Sequence, residues 1–600
     1  MASDGSTVEI SLSAGVEHTQ DEWEAATAAV LRKARKLSEE APNSDAWTAL
    51  ATTTLDGISV TPLGTPALTA DLPAAGLPGQ APFTRGASAS RELEGWDVRA
   101  WFTDTDVERT KADVLTDLEN GVNSLWLSVG TGALPIDALA DVLDKVFVDL
   151  APVALDAPFE PIEAAKALLA VLADKGVAAA PGTNLGVDPL GATVRERGVT
   201  DLDVAVQAAG LAKAAGVRAI TVDASAIHDA GASDVQELAY SLLAGATYLR
   251  ALTAAGLSVD EAASLIDFRF AATDEQFETI AKFRAARRLW NRVAELSGVS
   301  TSAAGQVQHA VTSRPMMAKY DPYVNMLRTT VAAFSAGVGG AASVTVLPFD
   351  EPLGLPDAFS RRIARNTSSL LIAESHIGAV ADPAGGAYAV EKLTDDIARA
   401  AWDLFGQIDG DFAAGLSALL GKVEQTKALR AEQIAKRKRP ITGVSEFPNL
   451  HETLPERRPY ASPLPVHRYA GEFEALRDEP AAQPVFLASM GTIAGFTARS
   501  TFAANLLAAG GIDHVVGGPS EGVDDVLAAY AEAGKPRVVC LVGNDKAYEA
   551  WGADLVAALR EAGAGYVVLA GKADVGADAS AAMGLDALAF LRSIREELGK

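Results

Sequence analysis

The run DAFSRRIARNTSSLLIAESHIGAVADPAGGAYAVEK, residues 357–392, decides how the chain is read. Asp357 is placed to cap a helix, because a carboxylate there accepts a bond from an unpaired first-turn N–H. Phe359, Ile363 and Leu370 recur at helical spacing and predict the apolar stripe of that helix. Asn366 and Thr367 fall close to the same stripe. Buried amides and hydroxyls persist only when hydrogen-bonded, so the helix is expected to have dictated partners. Gly378 allows the helix to end, residues 377–381 read as a short buried strand, and Asp382-Pro383 with Gly385-Gly386 forces a turn. On these residues alone the plain reading is a core helix feeding a core strand.

Upstream the text is rhythmic. Short apolar runs at 125–129, 153–155, 177–180, 219–222, 265–270, 307–311, 344–347 and 377–381 alternate with amphipathic segments. One helix is expected over 161–175. Another is expected to start at Thr273, with Gln276 three residues on as a capping box, and to bury Phe283, Ala286, Trp290 and Val293. Eight such units imply a parallel sheet, and eight is the count that closes a (β/α)8 TIM barrel. An open doubly wound sheet is the alternative. From Val485 a second rhythm begins, with runs at 485–488, 515–516, 538–542 and 566–569 between helices near 502–508, 523–533, 553–561 and 585–598. This predicts a small α/β domain of the doubly wound flavodoxin type, whose ligands would sit at the carboxyl ends of its strands.

The flanking segments read differently. Residues 21–37 predict a helix with Trp23, Ala26, Val30 and Ala34 on one face, and basic residues at its end oppose the helix dipole. Residues 61–82, rich in proline and glycine, exclude regular structure and suggest an extended arm or a linker. Residues 391–439 are expected to be helical, ending in the basic cluster KRKR. That cluster is either a solvated helix end or a nucleic-acid or targeting signal, and the acidity of the chain favours the first. The division expected is 1–91 for a helix and arm, 92–402 for the barrel, 403–483 for a helical and proline-rich linker, and 484–600 for the second α/β domain.

Composition narrows the function classes. Net charge is −27, which argues against a broad nucleic-acid surface. The lone cysteine, Cys540, excludes an internal disulfide and a thiolate metal cluster, and its apolar setting points to a buried inert thiol. The seven histidines show no pair at metal-ligand spacing. No apolar run is long enough for a membrane span, and the first residues lack the features of a signal peptide, so a cytoplasmic protein is expected.

The wording SRRIARNTSSLL followed by DPAGGAYAVE, with KFRAARRLWNRV (282–293) upstream, closely resembles the barrel of methylmalonyl-CoA mutases. The resemblance covers most of residues 123–402 in unchanged order. It implies a barrel followed by a cobalamin-binding-type domain, adenosylcobalamin chemistry on acyl-CoA, and G-protein chaperones that serve such enzymes. The family's first C-terminal loop carries Asp-x-His-x-x-Gly, whose histidine ligates cobalt. Laid over it, this chain has Ile493, Gly495 and Ala498 at those three positions. Gly491 and Gly495 are also wrongly spaced for a dinucleotide loop. The family's later Ser-x-Leu element has no match in LVGNDKAYEAW.

The barrel departs from the family as well. Aligned on Asp229-Ala230-Gly231, Ser225 and Ala226 stand where the catalytic chains have Tyr-His. His228 is two positions late and is either a displaced acid–base group or a polar loop residue. His309 matches a histidine used around the substrate thioester, but Val311 replaces the accompanying glutamine. In place of a Tyr-Ala-Gly-Phe segment the chain has DVRAWFTD, with no tyrosine. The resemblance therefore implies a non-catalytic small subunit, with no catalytic, cofactor-binding or metal residues of its own. A large subunit would hold adenosylcobalamin, and residues 1–91 would wrap that partner. A self-sufficient mutase using His228 or His309, and an acyl-CoA sensor using an open barrel bore, are the alternatives.

Overall fold

The computed structural model describes residues 18–89 and 95–599, so the start of the expected arm and its junction with the barrel lie outside the described residues. Eight parallel strands close a barrel: β1 (Asp97–Phe102), β2 (Ser124–Ser128), β3 (Val153–Asp156), β4 (Asn184–Val187), β5 (Arg218–Asp223), β6 (Ile266–Ala272), β7 (Gln308–Thr312) and β8 (Ser343–Thr345). Closure is made by Ser343 and Val344 of β8 pairing with Asp97 and Val98 of β1. This is the TIM barrel expected, although two of the eight strands are not where the apolar runs put them.

The run 177–180 follows the left-handed Gly176 cap of the helix Pro161–Lys175 and forms an irregular connection; the strand comes later, at Asn184–Val187. The run 377–381 is not a strand. The helix there runs on into a π-helical turn, Leu370–Glu374, and Val380 is 59% exposed. Its place in the barrel belongs to β1, which the apolar-run criterion misses because Asp97 and Arg99 interrupt it. Buried parallel strands ordinarily read as continuous apolar text. Arg99 is tolerated inside because its Nε donates to Ser124 Oγ at 2.8 Å.

Around the barrel the relevant helices are α1 (Gln20–Lys33), α2 (Asp45–Leu50), α3 (Asp234–Ala254), α4 (Gln276–Leu296), α5 (Asn325–Val338), α6 (Ala358–Ser369), α7 (Tyr388–Ile408) and α8 (Phe412–Ala435). In α4 the expected capping box is absent: Thr273 bonds Thr279 across 2.9 Å, and the helix starts at Gln276. Its apolar side, Phe283, Ala286, Trp290 and Val293, is buried as expected.

Two helices are turned relative to their apolar stripes. In α1 the buried residues are Glu24, Ala28 and Leu31, while Val30 is 68% exposed. The helix is rotated because Glu24 accepts a bond from Trp47 Nε1 at 2.8 Å and Trp23 packs on Trp47 at 4.4 Å. In α6 the Asp357 cap forms as expected, and the structure adds a reciprocal bond from the Asp357 N–H to Ser360, yet the buried side is Ser360, Arg361, Ala364 and Ser368. Asp117 dictates this orientation. A buried carboxylate is costly unless paired, and here both Arg361 and Arg365 reach it, the latter at 2.9 Å. Phe359 and Leu370 consequently face outward, 43% and 47% exposed, and Asn366 is exposed.

The proline-rich arm lies against its own barrel over part of its length. Arg287 on α4 donates to the Phe83 and Thr84 carbonyls at 3.0 and 2.9 Å, and Arg85 pairs with Asp382 at 3.1 Å. Gly64 passes so close to α7 that a Cβ there would meet Ala389 N at 2.8 Å.

The second sheet contains β9 (Val485–Ser489), β10 (His514–Val516), β11 (Val538–Val542), β12 (Tyr566–Ala570) and β13 (Ala579–Ala581), all parallel, in the order β10-β9-β11-β12-β13. That is the order of flavodoxin-type doubly wound sheets. Alternate residues of β9 feed separate cores on the two faces, Val485 and Leu487 on one and Phe486 and Ala488 on the other. Among the described residues no helix is long and apolar enough to cross a membrane.

Candidate functional site

Catalytic groups of a TIM barrel sit at the carboxyl ends of its strands, so the mouth and bore are where chemistry would be found. The bore is filled. Trp126 on β2 receives the Arg269 guanidinium from β6, across the barrel, at 4.0 Å from its ring. Trp101 stacks on Trp126 at 5.4 Å, and Arg314 lies 4.8 Å over Trp101. His309 meets Trp126 edge-on at 5.4 Å. An eight-stranded barrel is just wide enough for side chains to fill, and these do so. The space left beside Trp126, Asp188, Arg195, Asp223 and Arg269 is about 60 Å³, room for a few waters.

Both ring nitrogens of His309 are engaged. Nδ1 accepts from Arg269 Nε at 3.1 Å, which assigns the ring proton to Nε2, 2.8 Å from Thr345 Oγ1. Burial, reinforced by Arg99, Arg269 and Arg314, holds its pKa well below the ordinary histidine value. Asp223 accepts from Arg269 Nη1 at 3.2 Å, and Ser225 donates to it at 2.5 Å. Ser225 and Ala226 fold into a short buried helix, Ser225–Asp229, after β5. Val311 is buried in the core.

His228 sits on that same short helix and is 2% exposed. It lies on a helix and not in an open loop, and it borders a cavity of about 360 Å³ shared with Asp56, Ser233, Asp274 and Glu278. Its Nε2 lies 2.7 Å from Ser313 Oγ, and its Nδ1 is 3.6 Å from Glu237, which accepts from Lys282 at 2.7 Å. Burial, then the charges of Lys282, Arg430 and Arg314, keep the imidazole neutral. Burial pushes the Glu237 carboxyl up to about 7 even though Lys282 opposes the shift. The direction for Lys282 is upward, and geometry favours an ionised pair.

The mouth is also covered. The segment joining barrel and second domain crosses it as a strap. Arg458 pairs with Asp104 after β1, and the Arg458 carbonyl accepts from Leu355 N at 2.7 Å. Tyr460 stacks on Trp101 at 6.0 Å. Ser462 Oγ accepts from Arg197 at 2.9 Å, His467 N donates to the Asp229 carbonyl at 2.8 Å, and Tyr469 N to the Pro315 carbonyl at 2.9 Å. Loops following five different strands are thus tied to one stretch of chain.

In the second domain the family's cobalt loop can be tested directly. Helix α9 (Ile493–Ala509) begins at Ile493, so Ile493, Gly495 and Ala498 occupy its first two turns, with Ile493 64% exposed. None offers a donor side chain. His514 pairs with Val485 at the opposite end of the sheet, about 15 Å from the loop at ~3.3 Å per residue. The gap between the sheet and the helices that carry Ala503, Leu506 and Phe590 is about 10 Å³, too small for a cofactor tail. The residues present do not fit a corrinoid. The Gly491 N–H is already used by Ser520 Oγ at 3.3 Å. Cys540 is buried, and burial pushes its thiol up to about 12. Among the described residues no cluster of three or more His, Cys, Asp or Glu is arranged to hold a metal. The basic cluster is largely spent internally: Lys436 pairs with Glu432 at 2.5 Å, Arg437 with Glu446 at 2.6 Å and Arg439 with Glu275 at 3.2 Å.

Sequence reasoning named His228 and His309 but missed the residues that fill the bore, Trp101, Trp126, Arg269, Arg314 and Tyr460. A signal was present. SLWLS and DFRFA set a bulky or charged residue into otherwise buried parallel strands, where only a bore-facing position accommodates it.

Comparison with known proteins agrees with the architecture. Residues 202–484 match the methylmalonyl-CoA mutase family model. A protein of Streptomyces virginiae named methylmalonyl-CoA mutase small subunit is 48% identical over 608 residues, covering 97% of both chains. The small subunit of Propionibacterium freudenreichii subsp. shermanii is 38% identical, covering 97% of this chain and 95% of its own. A protein of Escherichia coli named methylmalonyl-CoA mutase is 31% identical but covers only 66% of this chain and 61% of its own. With a closed barrel, a following doubly wound domain and end-to-end similarity to small subunits, the chain belongs to the methylmalonyl-CoA mutase family.

Proposed function

We propose that this chain is the non-catalytic small subunit of a heterodimeric methylmalonyl-CoA mutase, acting in the cytoplasm. Its large partner would carry adenosylcobalamin and acyl-CoA and interconvert methylmalonyl-CoA and succinyl-CoA. The observation that carries the reading is the packed bore, where Trp126 touches Arg269 at 4.0 Å, Trp101 at 5.4 Å and His309 at 5.4 Å. A substrate cannot enter space already occupied at core density. The absence of donor side chains at Ile493, Gly495 and Ala498 supports it independently. The role left to the chain is to stabilise its partner by mass action.

Within residues 1–91, the helix pair α1 and α2 is the segment we assign to gripping the large subunit. Its buried apolar residues, Ala28, Leu31 and Ala46, belong to none of the large apolar cores of the protein. Two short helices with so small a core are marginal in water by themselves. The test uses the purified full-length chain with adenosylcobalamin and methylmalonyl-CoA, alone and with the large subunit. Expected are no corrinoid absorbance change and no turnover alone, and co-elution as a 1:1 complex with the partner. Turnover by the isolated chain would refute the reading.

A further inference from the structure

Outside the filled bore, among the loops that follow β5 and β6, lies the cavity of about 360 Å³ that His228 borders. That is the size of a small-molecule site. Stretches far apart in the chain build it: the arm's turn between Thr53 and Ser59, the start of α3, the loop from β6 into α4, one side of α5, and residues 439–442 after α8. Bonds between these stretches fix its walls. Asp56 in the arm accepts from Ser233 Oγ and from the Val235 N–H, the latter at 3.4 Å. Arg430 on α8 donates to the Gly231 and Ala232 carbonyls at 2.7 and 3.1 Å, and Arg328 on α5 to the Thr442 carbonyl at 2.7 Å. The space is pre-formed, which lowers the cost of filling it with a ligand.

Five carboxylates line the cavity against three guanidiniums, a surplus of two negative charges. The guanidiniums are spent, Arg430 and Arg328 on carbonyls and Arg439 on Glu275 at 3.2 Å. Asp234 is answered by Lys282 at 2.7 Å, and Lys282 is shared with Glu237 behind the wall. Among the described residues neither Asp56 nor Glu278 has a lysine or arginine at ion-pair distance. Burial, then the charges of Asp234 and Glu275, pushes the Glu278 carboxyl up to about 8 against the pull of Arg439. Burial likewise pushes Asp56 up to about 6. A separate observation comes from His228. It lines the same cavity at 2% exposure, and its Nε2 is engaged by Ser313 at 2.7 Å, yet its Nδ1 makes no hydrogen bond. Glu237 stands 3.6 Å from that nitrogen. A buried polar atom without a partner is costly, and a donor placed in the cavity would satisfy it.

We propose that this cavity binds a short aliphatic diamine, its ammonium groups held by Asp56 and Glu278 and its methylenes lying against Leu327 and Val331 of α5. An ammonium N–H donates to His228 Nδ1. Two positive charges cancel the surplus of the lining, and the apolar wall takes the hydrocarbon between them. A divalent cation is the poorer occupant. Such ions take cages of oxygen ligands, and among the described residues no three candidate groups are arranged to hold one. An anion would meet only guanidiniums already bonded to the protein. The cavity is separate from the bore, so this binding stands whether or not the small-subunit reading holds.

The experiment titrates pentane-1,5-diamine into the full chain by calorimetry, with pentane-1,5-diol as the neutral control. One equivalent of diamine per chain is expected, with a dissociation constant of about 1 mM or below, and no binding of the diol. Glu278→Gln removes the charge of a half-buried carboxylate that has no ion-pair partner. Its melting temperature should match wild type, and it should bind the diamine about tenfold more weakly. Val331→Trp fills the cavity without touching a charge and should abolish binding. Affinity should rise about tenfold from pH 6 to pH 8, as Asp56 and Glu278 lose their protons among Asp234, Asp274, Glu275, Arg328, Arg430 and Arg439, while the diamine stays charged. Equal binding of diol and diamine would overturn the proposal, as would wild-type affinity in Glu278→Gln. Wild-type affinity in Val331→Trp with wild-type melting would overturn it in favour of adsorption on the acidic surface. Diamine binding that disappears in the 1:1 complex with the large subunit would overturn it in favour of a lysine side chain of the partner filling the cavity.

Discussion

The barrel mouth and the strand-end loop of the second sheet occupy equivalent places, at the carboxyl ends of parallel strands where α/β proteins hold ligands. They are closed by opposite means. In the barrel the space is taken by large side chains, Trp126, Arg269, His309 and Arg314, which pack on one another and bond outward to Asp223, Thr345 and Asp229. In the second domain Tyr548, bonded to the Gly543 N–H and the Ala570 carbonyl, and Arg499 above its ring lie at the strand ends, while the loop has Ile493, Gly495 and Ala498 instead of donors and hydrocarbon closes the gap beneath. One region holds a network that would be difficult to dismantle one residue at a time. The other departs from the family's loop at three positions and leaves only about 10 Å³ beneath it.

This contrast can be broken most sharply in the bore. Trp126→Ala removes the ring that Arg269, Trp101 and His309 all pack against. It should destabilise the barrel by about 3–5 kcal/mol, the usual range for a buried Trp→Ala change. Urea unfolding reads that loss. Calorimetry with a short acyl-CoA should still show no binding, because Arg269 and Arg314 remain in the path; micromolar binding would mean that one ring alone closes the bore.

A smaller effect is expected from the histidines. His228 is held below its ordinary pKa by burial and by Lys282, Arg430 and Arg314, so the unfolded chain binds its proton more readily. Its contribution to stability is therefore present above about pH 6.5 and is lost as pH falls below that value, by up to ~1.4 kcal/mol per pH unit. Buried carboxyls such as Asp188 and Asp229, each pushed up to about 6 mainly by burial, act in the opposite direction over part of this range. The informative quantity is thus the difference between wild type and His228→Gln, measured by denaturant unfolding at pH 7, 6 and 5. A difference independent of pH would show that His228 already titrates normally in the folded protein.

The smallest effect belongs to the second domain. The double variant Ile493→Asp/Gly495→His restores the family's donors on a solvent-facing first turn, so stability should change by less than about 1 kcal/mol. Adenosylcobalamin should still leave the visible spectrum unchanged, because the 10 Å³ gap beneath has no room for the cofactor's tail. A bound, red-coloured product would mean that the second domain lost only its donors, and the contrast with the barrel would narrow to ligand chemistry alone.

Much of the architecture was legible in the chain because parallel barrels write buried strands as apolar runs. Six of the eight runs fell on strands, and the count of eight survived because one false run, 377–381, replaced one missed strand, Asp97–Phe102. The missed strand carries Arg99, whose place inside depends on Ser124 twenty-five residues away. The departure from the family's cobalt loop was legible for a simpler reason: a glycine at 495 has no side chain to offer a metal in any fold. The filled bore was not legible, since the closeness of Trp126 and Arg269 is a property of closure, which brings strands β2 and β6 face to face.

By itself, then, the sequence determined the two α/β rhythms, the capped helix at Asp357 and the residues without metal donors at 493, 495 and 498, because each depends on local spacing or on the chemistry of one side chain. Only the tertiary structure decided which way α1 and α6 face, where the strap runs and what fills the barrel. The same twelve-residue stretch, Phe359 to Leu370, satisfies an apolar rule on one side and an ion-pair rule on the other. The choice between them was made by Asp117, a buried charge more than two hundred residues earlier whose need for Arg361 and Arg365 outweighs the exposure of Phe359 and Leu370.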